Sequence, residues 1–146
     1  MSVTVRKLDS TPEQVFAVLA DPWVYPTWVV GASRLRAADS AYPQVGCKLH
    51  HSVGVWPLVL NDETRVEEWD PPHRMVLQAK TRPIGTERVI IEVKPNGSGS
   101  VVRMEEYPIT GPASYLPRAL TDLILYIRNW ESLRRLGFIA RGRAQR

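Results

Sequence analysis

Three side chains in the middle of this 146-residue sequence pair an ionisable group with surroundings that could set it to work. His51 shares the alternation phase of Cys47 and Leu49. A neutral imidazole facing inward there could take or return a proton at a carbonyl-bearing molecule. The plainer account is a core histidine hydrogen-bonded to a neighbour. Glu87 precedes Val89, and Glu106 follows Met104, on the same inward phase. Carboxylates buried without a partner hold their protons to higher pH, and could then act as acid or base or anchor a hydroxyl. Both lie near strand ends, where a solvated rim position is the plainer account. Glu131 and Arg134 are spaced to pair on a helix, although an inward arginine could instead hold a carboxylate or phenolate. Trp28, Trp56, Trp69, Tyr107 and Trp130 could stack a planar ring, or simply pack.

Other chemistries lack their signals. His50 and His51 are adjacent, so a strand sends them to opposite faces, and His73 has no nearby cysteine or histidine; no metal site is expected. No glycine-rich phosphate loop joins a strand to a helix, and no Gly-x-Ser-x-Gly elbow occurs, so neither a nucleotide cofactor nor a serine triad is expected. The pI near 9.5 raises the question of nucleic acid. However, residues 128–146 hold six arginines against one glutamate, which exceeds the whole net charge of +4. A nucleic-acid groove spreads its charge over several elements, so a solvated helix end, with arginines complementing the helix dipole, fits better. No apolar run reaches the roughly 18 residues that cross a bilayer, and the start MSVTVRKLDS lacks a signal-peptide core, so no membrane insertion is expected. With Cys47 as the lone cysteine, a cytoplasmic protein without disulfides is expected.

These candidates need elements to position them. Residues 2–8 alternate as a strand. Thr11, Pro12 and Gln14 then start a helix with capping-box spacing, which Asp21-Pro22 ends. Residues 23–31, broken by Pro26 and Gly31, predict a short helical turn or lid. Strands follow near 33–39, 47–54, 59–69, 74–81, 86–95 and 100–107. Their dividers are Tyr42-Pro43 with Gly46, Trp56-Pro57, Asp70-Pro71-Pro72, Pro83-Ile84-Gly85 and Asn96-Gly97-Ser98-Gly99. Short links between consecutive strands imply an antiparallel meander. Asn96-Gly97-Ser98 also matches a glycosylation acceptor, but Asn-Gly is foremost a hairpin turn.

From 116 to 138 the period becomes helical. A wheel gathers Leu116, Leu120, Leu123, Ile124, Tyr126, Ile127, Trp130 and Leu133 on one arc, with Arg118, Asp122, Arg128, Asn129 and Ser132 on the far side. Leu125 and Leu136 fall on that polar side, where they could mark a homodimer contact. From the strands, Leu49, Val53, Val66, Met75, Leu77, Val89, Ile91, Val93, Val102 and Met104 point inward, with Thr64 among them. Most are medium-sized, and mostly apolar walls with a few polar groups suit a ligand pocket.

This order of elements, with PEQVFAVLADPWVYPTW near the start, resembles the START-like helix-grip superfamily, also called SRPBCC. The stretches DPWVYPTWVVG, GCKLHHSVGVWPL and RNWESLRRL resemble its bacterial polyketide cyclase/dehydrase branch. The resemblance implies one α+β domain over residues 1–146, a seven-stranded antiparallel sheet wrapped around a long C-terminal helix, with two short helices after the first strand. It also implies a cavity for a small, largely apolar polyketide-, lipid- or aromatic-like molecule. The expected lining is Trp28, Leu49, Thr64, Leu77, Glu87, Val89 and Met104, with Leu120, Ile124 and Ile127 from the helix. A cyclase, aromatase or dehydrase activity, with His51 or Glu106 as acid or base, is the alternative to binding alone.

Overall fold

The structure, a computed structural model, describes residues 1–81 and 85–146. In chain order it comprises β1 (Ser2–Leu8), α1 (Pro12–Leu19), a 3-10 turn (Pro22–Val24), α2 (Tyr25–Trp28), β2 (Ala32–Ala38), β3 (Lys48–Val55) and β4 (Leu58–Asp70). There follow β5 (Arg74–Thr81), β6 (Gly85–Asn96), β7 (Gly99–Thr110), a second 3-10 turn (Pro112–Tyr115) and α3 (Arg118–Ala144). The strands form one antiparallel sheet in the order β1-β7-β6-β5-β4-β3-β2, so the meander closes with the first strand beside the last. This is the expected helix-grip α+β architecture, with two short helices after β1. The Pro83-Ile84 divider lies outside the described residues.

Local chemistry accounts for the way the chain enters the fold. The Thr11 side chain accepts from Gln14 N while the Gln14 side chain accepts from Thr11 N, a reciprocal cap that opens α1. Caps of this kind contribute about 1 kcal/mol. Val15, Phe16, Val18 and Leu19 of α1 are buried against the C-terminal half of α3, where Leu133, Leu136 and Ala140 complete the apolar core. At Gly137 an added Cβ would stand 2.8 Å from Leu8 Cδ2, so α3 crosses β1 at a point where only glycine fits without displacing Leu8. Of the expected inward strand residues, Leu49, Val66, Met75, Leu77, Ile91, Val93, Val102 and Met104 are buried, and Val53 and Val89 are half-buried.

The expected phase of α3 is wrong. Its buried residues are Leu125, Asn129, Ser132, Leu133, Leu136 and Ala140. Leu116, Leu120, Leu123, Ile124, Tyr126, Ile127 and Trp130 are exposed. The wheel assumed that the wider apolar arc faces the sheet, whereas α3 carries two opposed apolar stripes and buries the narrower one. Leu125 and Leu136 are therefore core residues and not a dimer contact. On β1 the inward residues are Ser2, Thr4 and Leu8, while Val5 faces outward. The core assignment makes a contrast measurable by urea unfolding. Leu136→Ala should lose roughly 2–5 kcal/mol, and Leu120→Ala about 0.5 kcal/mol or less, because only the first leaves a cavity.

Candidate functional site

Strand register brings the polar candidates to one end of the concave face. Thr64 pairs with Leu49 on one side and Ala79 on the other, Ala79 pairs with Glu87, and Val89, two residues on, pairs with Glu106. At the β6–β7 edge, Thr86 pairs with Thr110 and Glu87 with Pro108, leaving Ile109 as an extra residue on β7. A bulge of this kind re-aims the side chains beside it. α2 lays Tyr25 and Trp28 over the sheet from one side, and α3 lowers Arg128 and Asn129 from the other.

Arg128 Nη2 makes an ion pair with Glu106 Oε1 and lies 3.5 Å from Glu87 Oε2. Glu106 is fully buried and Glu87 almost so, so the rim position expected for both is corrected: the sheet end is roofed by α3 and is not open to water. Burial raises the pKa of Glu87 to about 8, and the hydrogen bond and charge of Glu106 add to the rise against the opposing pull of Arg128. Burial pushes Glu106 the same way. There, however, the Arg128 charge and the hydrogen bonds offered by Glu87 and Arg128 win, and the carboxyl stays below its usual range. Glu87 thus holds a proton at neutral pH while Glu106 is an anion, and the cluster is neutral overall. Two adjacent carboxyls whose environments separate their titrations are the arrangement by which acid and base roles are divided.

A second chain of polar groups adjoins the first. His51 Nε2 and Thr64 Oγ1 are 2.8 Å apart, and Tyr25 Oη lies 3.2 Å from the same Thr64 oxygen. The Tyr25 and His51 rings are tilted at 36° with centroids 5.5 Å apart. Burial lowers the His51 pKa, against a raising pull from Asp62, and burial raises that of Tyr25, so both rings are neutral at pH 7. His51 is the hydrogen-bonded core histidine of the plainer account. Even so, among the described residues its Nδ1 has no partner, and Glu106 Oε2 and Asn129 Nδ2 have none of good hydrogen-bond geometry. Buried polar atoms left in this state cost about 1–3 kcal/mol each, and mark a place for a bound group or water.

All three atoms belong to residues lining two adjoining cavities of about 70 and about 40 Å³. The two share Tyr25, Val29, Val89, Glu106 and Arg128. His51, Glu87 and Val89 line the larger, while Trp28, Leu77, Val89 and Met104 line the smaller, which Ser132 also borders. Ser132 Oγ accepts from Val30 N at 3.1 Å and ties the segment after α2 to α3. Thr64 stands behind the wall, and Leu49 is buried in the core without lining either cavity. Leu120, Ile124 and Ile127 lie outside, on the exposed face of α3. Among the aromatics, Trp56 is exposed, Trp69 packs on Phe16 with centroids 5.3 Å apart, and Arg6 covers Trp130. Glu131 pairs with Arg134 and Arg135 at the surface, as its spacing predicts.

Sequence reasoning missed Tyr25, Arg128 and Asn129. A signal for Arg128 was present: two inward carboxylates on neighbouring strands require a cation, and α3 is the element facing them. A roomier hollow of about 480 Å³ lies between Arg36, His50, Asn61, Asp62, Glu63 and Lys80. It is a charged surface groove remote from the paired carboxyls. Among the described residues no group of three or more His, Cys, Asp or Glu could hold a metal ion, and no helix is long and apolar enough to cross a membrane.

Comparison with known proteins agrees with the fold. No curated protein matches the sequence. Solved structures match throughout. Protein NE0264 from Nitrosomonas europaea superposes with a TM-score of 0.74 at 16% identity, covering 97% of this chain and 94% of its own. A protein from Rhodobacter sphaeroides gives 0.72 at 21%, covering 94% and 89%. TTHA0849 from Thermus thermophilus gives 0.71 at 14%, covering 97% of each chain. The family model described as polyketide cyclase / dehydrase and lipid transport matches residues 1–135, and the chain belongs to that family.

Proposed function

We propose that this protein binds a small, largely apolar molecule with one polar end, held between the curved sheet and α3. The observation that carries the reading is that, of six buried side-chain polar atoms without a partner among the described residues, three, on His51, Glu106 and Asn129, group at one end of walls otherwise built from Val29, Leu77, Val89 and Met104. A hydroxyl or carbonyl placed there satisfies atoms that the protein alone leaves open, while the rest of the ligand replaces apolar contacts. The neutral cluster favours an uncharged polar end, since a further carboxylate would meet Glu106. Ligand sites ordinarily enclose about 300–1,000 Å³, so binding requires the wall to yield. The weakest wall is the first part of α3, where residues 118–128 bury only Leu125.

A second reading is favoured by the proton on Glu87. A protonated carboxyl beside an ionised one, with a neutral His51 facing the same space, is equipped to move a proton on a bound polyketide-like chain, as a cyclase, aromatase or dehydrase does. Holding such a chain folded would itself supply much of the acceleration. Calorimetric titration with 2-naphthol tests the binding reading. The wild type should bind it more tightly than naphthalene, and Val89→Phe, which fills the larger cavity, should abolish binding while the protein stays folded. Undiminished binding to Val89→Phe overturns the proposed location.

A further inference from the structure

The first half of α3 presents an apolar stripe to solvent directly behind the turns that carry Arg128. Leu120, Leu123, Ile127 and Trp130 follow one another at spacings of three, four and three, with Leu116 four residues ahead and Ile124 beside them; each is 43–60% exposed. That spacing is the seam of paired helices, in which side chains recur every 3.5 residues on average to meet a neighbouring helix. With Tyr126 and the 90% exposed Tyr115 included, these side chains offer roughly 700–900 Å². Each partner in a stable complex gives up about 800 Å², and monomers seldom expose contiguous patches this large.

We infer that this stripe pairs with its own copy, two α3 helices packing antiparallel across a two-fold axis near Leu123. Two observations favour a second copy. The stripe's area matches the roughly 800 Å² that each partner of a stable complex gives up, and its spacing suits a helix partner. Moreover, α3 starts at Pro117 with neither a side-chain cap nor an acidic residue in its first turn. Antiparallel pairing brings Glu131, at the other end of the stripe, to the start of the partner's helix, where a carboxylate is favourable. Pairing there also braces the wall that carries Arg128 and Asn129.

Sedimentation velocity of the intact protein, with cross-linking of single-cysteine variants, tests this. The wild type should sediment as a dimer at tens of micromolar, and Leu123→Glu, at an exposed position and with unchanged circular dichroism, as a monomer. In a Cys47→Ser background, Leu123→Cys should oxidise to a covalent dimer while Leu116→Cys, which would face Trp130, should not. A wild type that stays monomeric at 200 µM overturns the inference, as does a dimer that survives Leu123→Glu. Cross-linking of both cysteine variants overturns the antiparallel arrangement. A monomer that co-sediments with phosphatidylcholine/phosphatidylglycerol vesicles, and loses this in Leu123→Glu, assigns the stripe to lipid instead.

Discussion

Arg128→Met should cost about 3–5 kcal/mol of stability near pH 8 and markedly less near pH 5. The reason lies in Glu106, which has no exposure to water and whose anion is held by the Arg128 guanidinium. In the wild type its lowered pKa contributes stability that is present above the unfolded value of 4.5 and is lost as pH falls through the folded value. Removing Arg128 leaves burial, which favours the protonated acid, opposed only by the hydrogen bonds that Glu87 and Asn129 offer the anion. The variant can relieve its buried charge by taking up a proton, and this becomes costlier as pH rises. The Arg128 side chain is itself 29% exposed, so water screens part of the pair and the loss should fall toward the lower end of the range. Urea unfolding at both pH values reads the difference. An equal loss at pH 5 and pH 8 would show that Arg128 acts through packing and not as the counter-ion of Glu106.

Glu87→Gln should behave in the opposite sense. A carboxyl whose pKa is raised in the folded state contributes stability that is complete below the unfolded value of 4.5, and disappears as pH climbs toward the folded value of about 8. Glutamine has nearly the same shape, stays neutral throughout, and can donate to the unpartnered Glu106 Oε2. The variant should therefore match the wild type near pH 4.5 and exceed it near pH 8 by on the order of 2–4 kcal/mol. Unfolding curves from pH 4.5 to 9 decide the matter: a variant less stable than wild type at pH 8 removes the proton from Glu87. A more stable Glu87→Gln would mean that the native protein keeps this carboxyl at a cost in stability. Such a cost is expected where a site is kept for a ligand or a reaction.

The sheet was legible because its signals are local. Alternating residues, proline breaks and the Asn96-Gly97 turn mark the strands to within a few residues, and the Thr11–Gln14 cap marks the start of α1. The inward phase of His51, Thr64, Glu87 and Glu106 could be read because a strand has only two faces. The helix was harder. On α3 both stripes are apolar, and hydrophobicity favours the one that faces water. The buried stripe mixes Leu125, Leu133, Leu136 and Ala140 with Ser132, whose hydroxyl takes the Val30 N–H, and Asn129, which borders the cavity beside Glu106. Tyr25 was hidden for a related reason: its place depends on a hydrogen bond to Thr64, 39 positions along the chain, and no local pattern encodes it.

The division of acid and anion in the cluster turns on where the proton of Glu87 resides, and its use on whether a ligand's polar end meets it. Carbon-13 NMR of the glutamate side-chain carboxyls, assigned with Glu87→Gln and Glu106→Gln and followed over pH with and without 2-naphthol, measures both at once. The predicted result is that Glu87 titrates near pH 8, Glu106 titrates below the ordinary glutamate range, and both resonances move when the probe binds. Ordinary titration of Glu87, or binding that leaves both carboxyls unmoved, would contradict it.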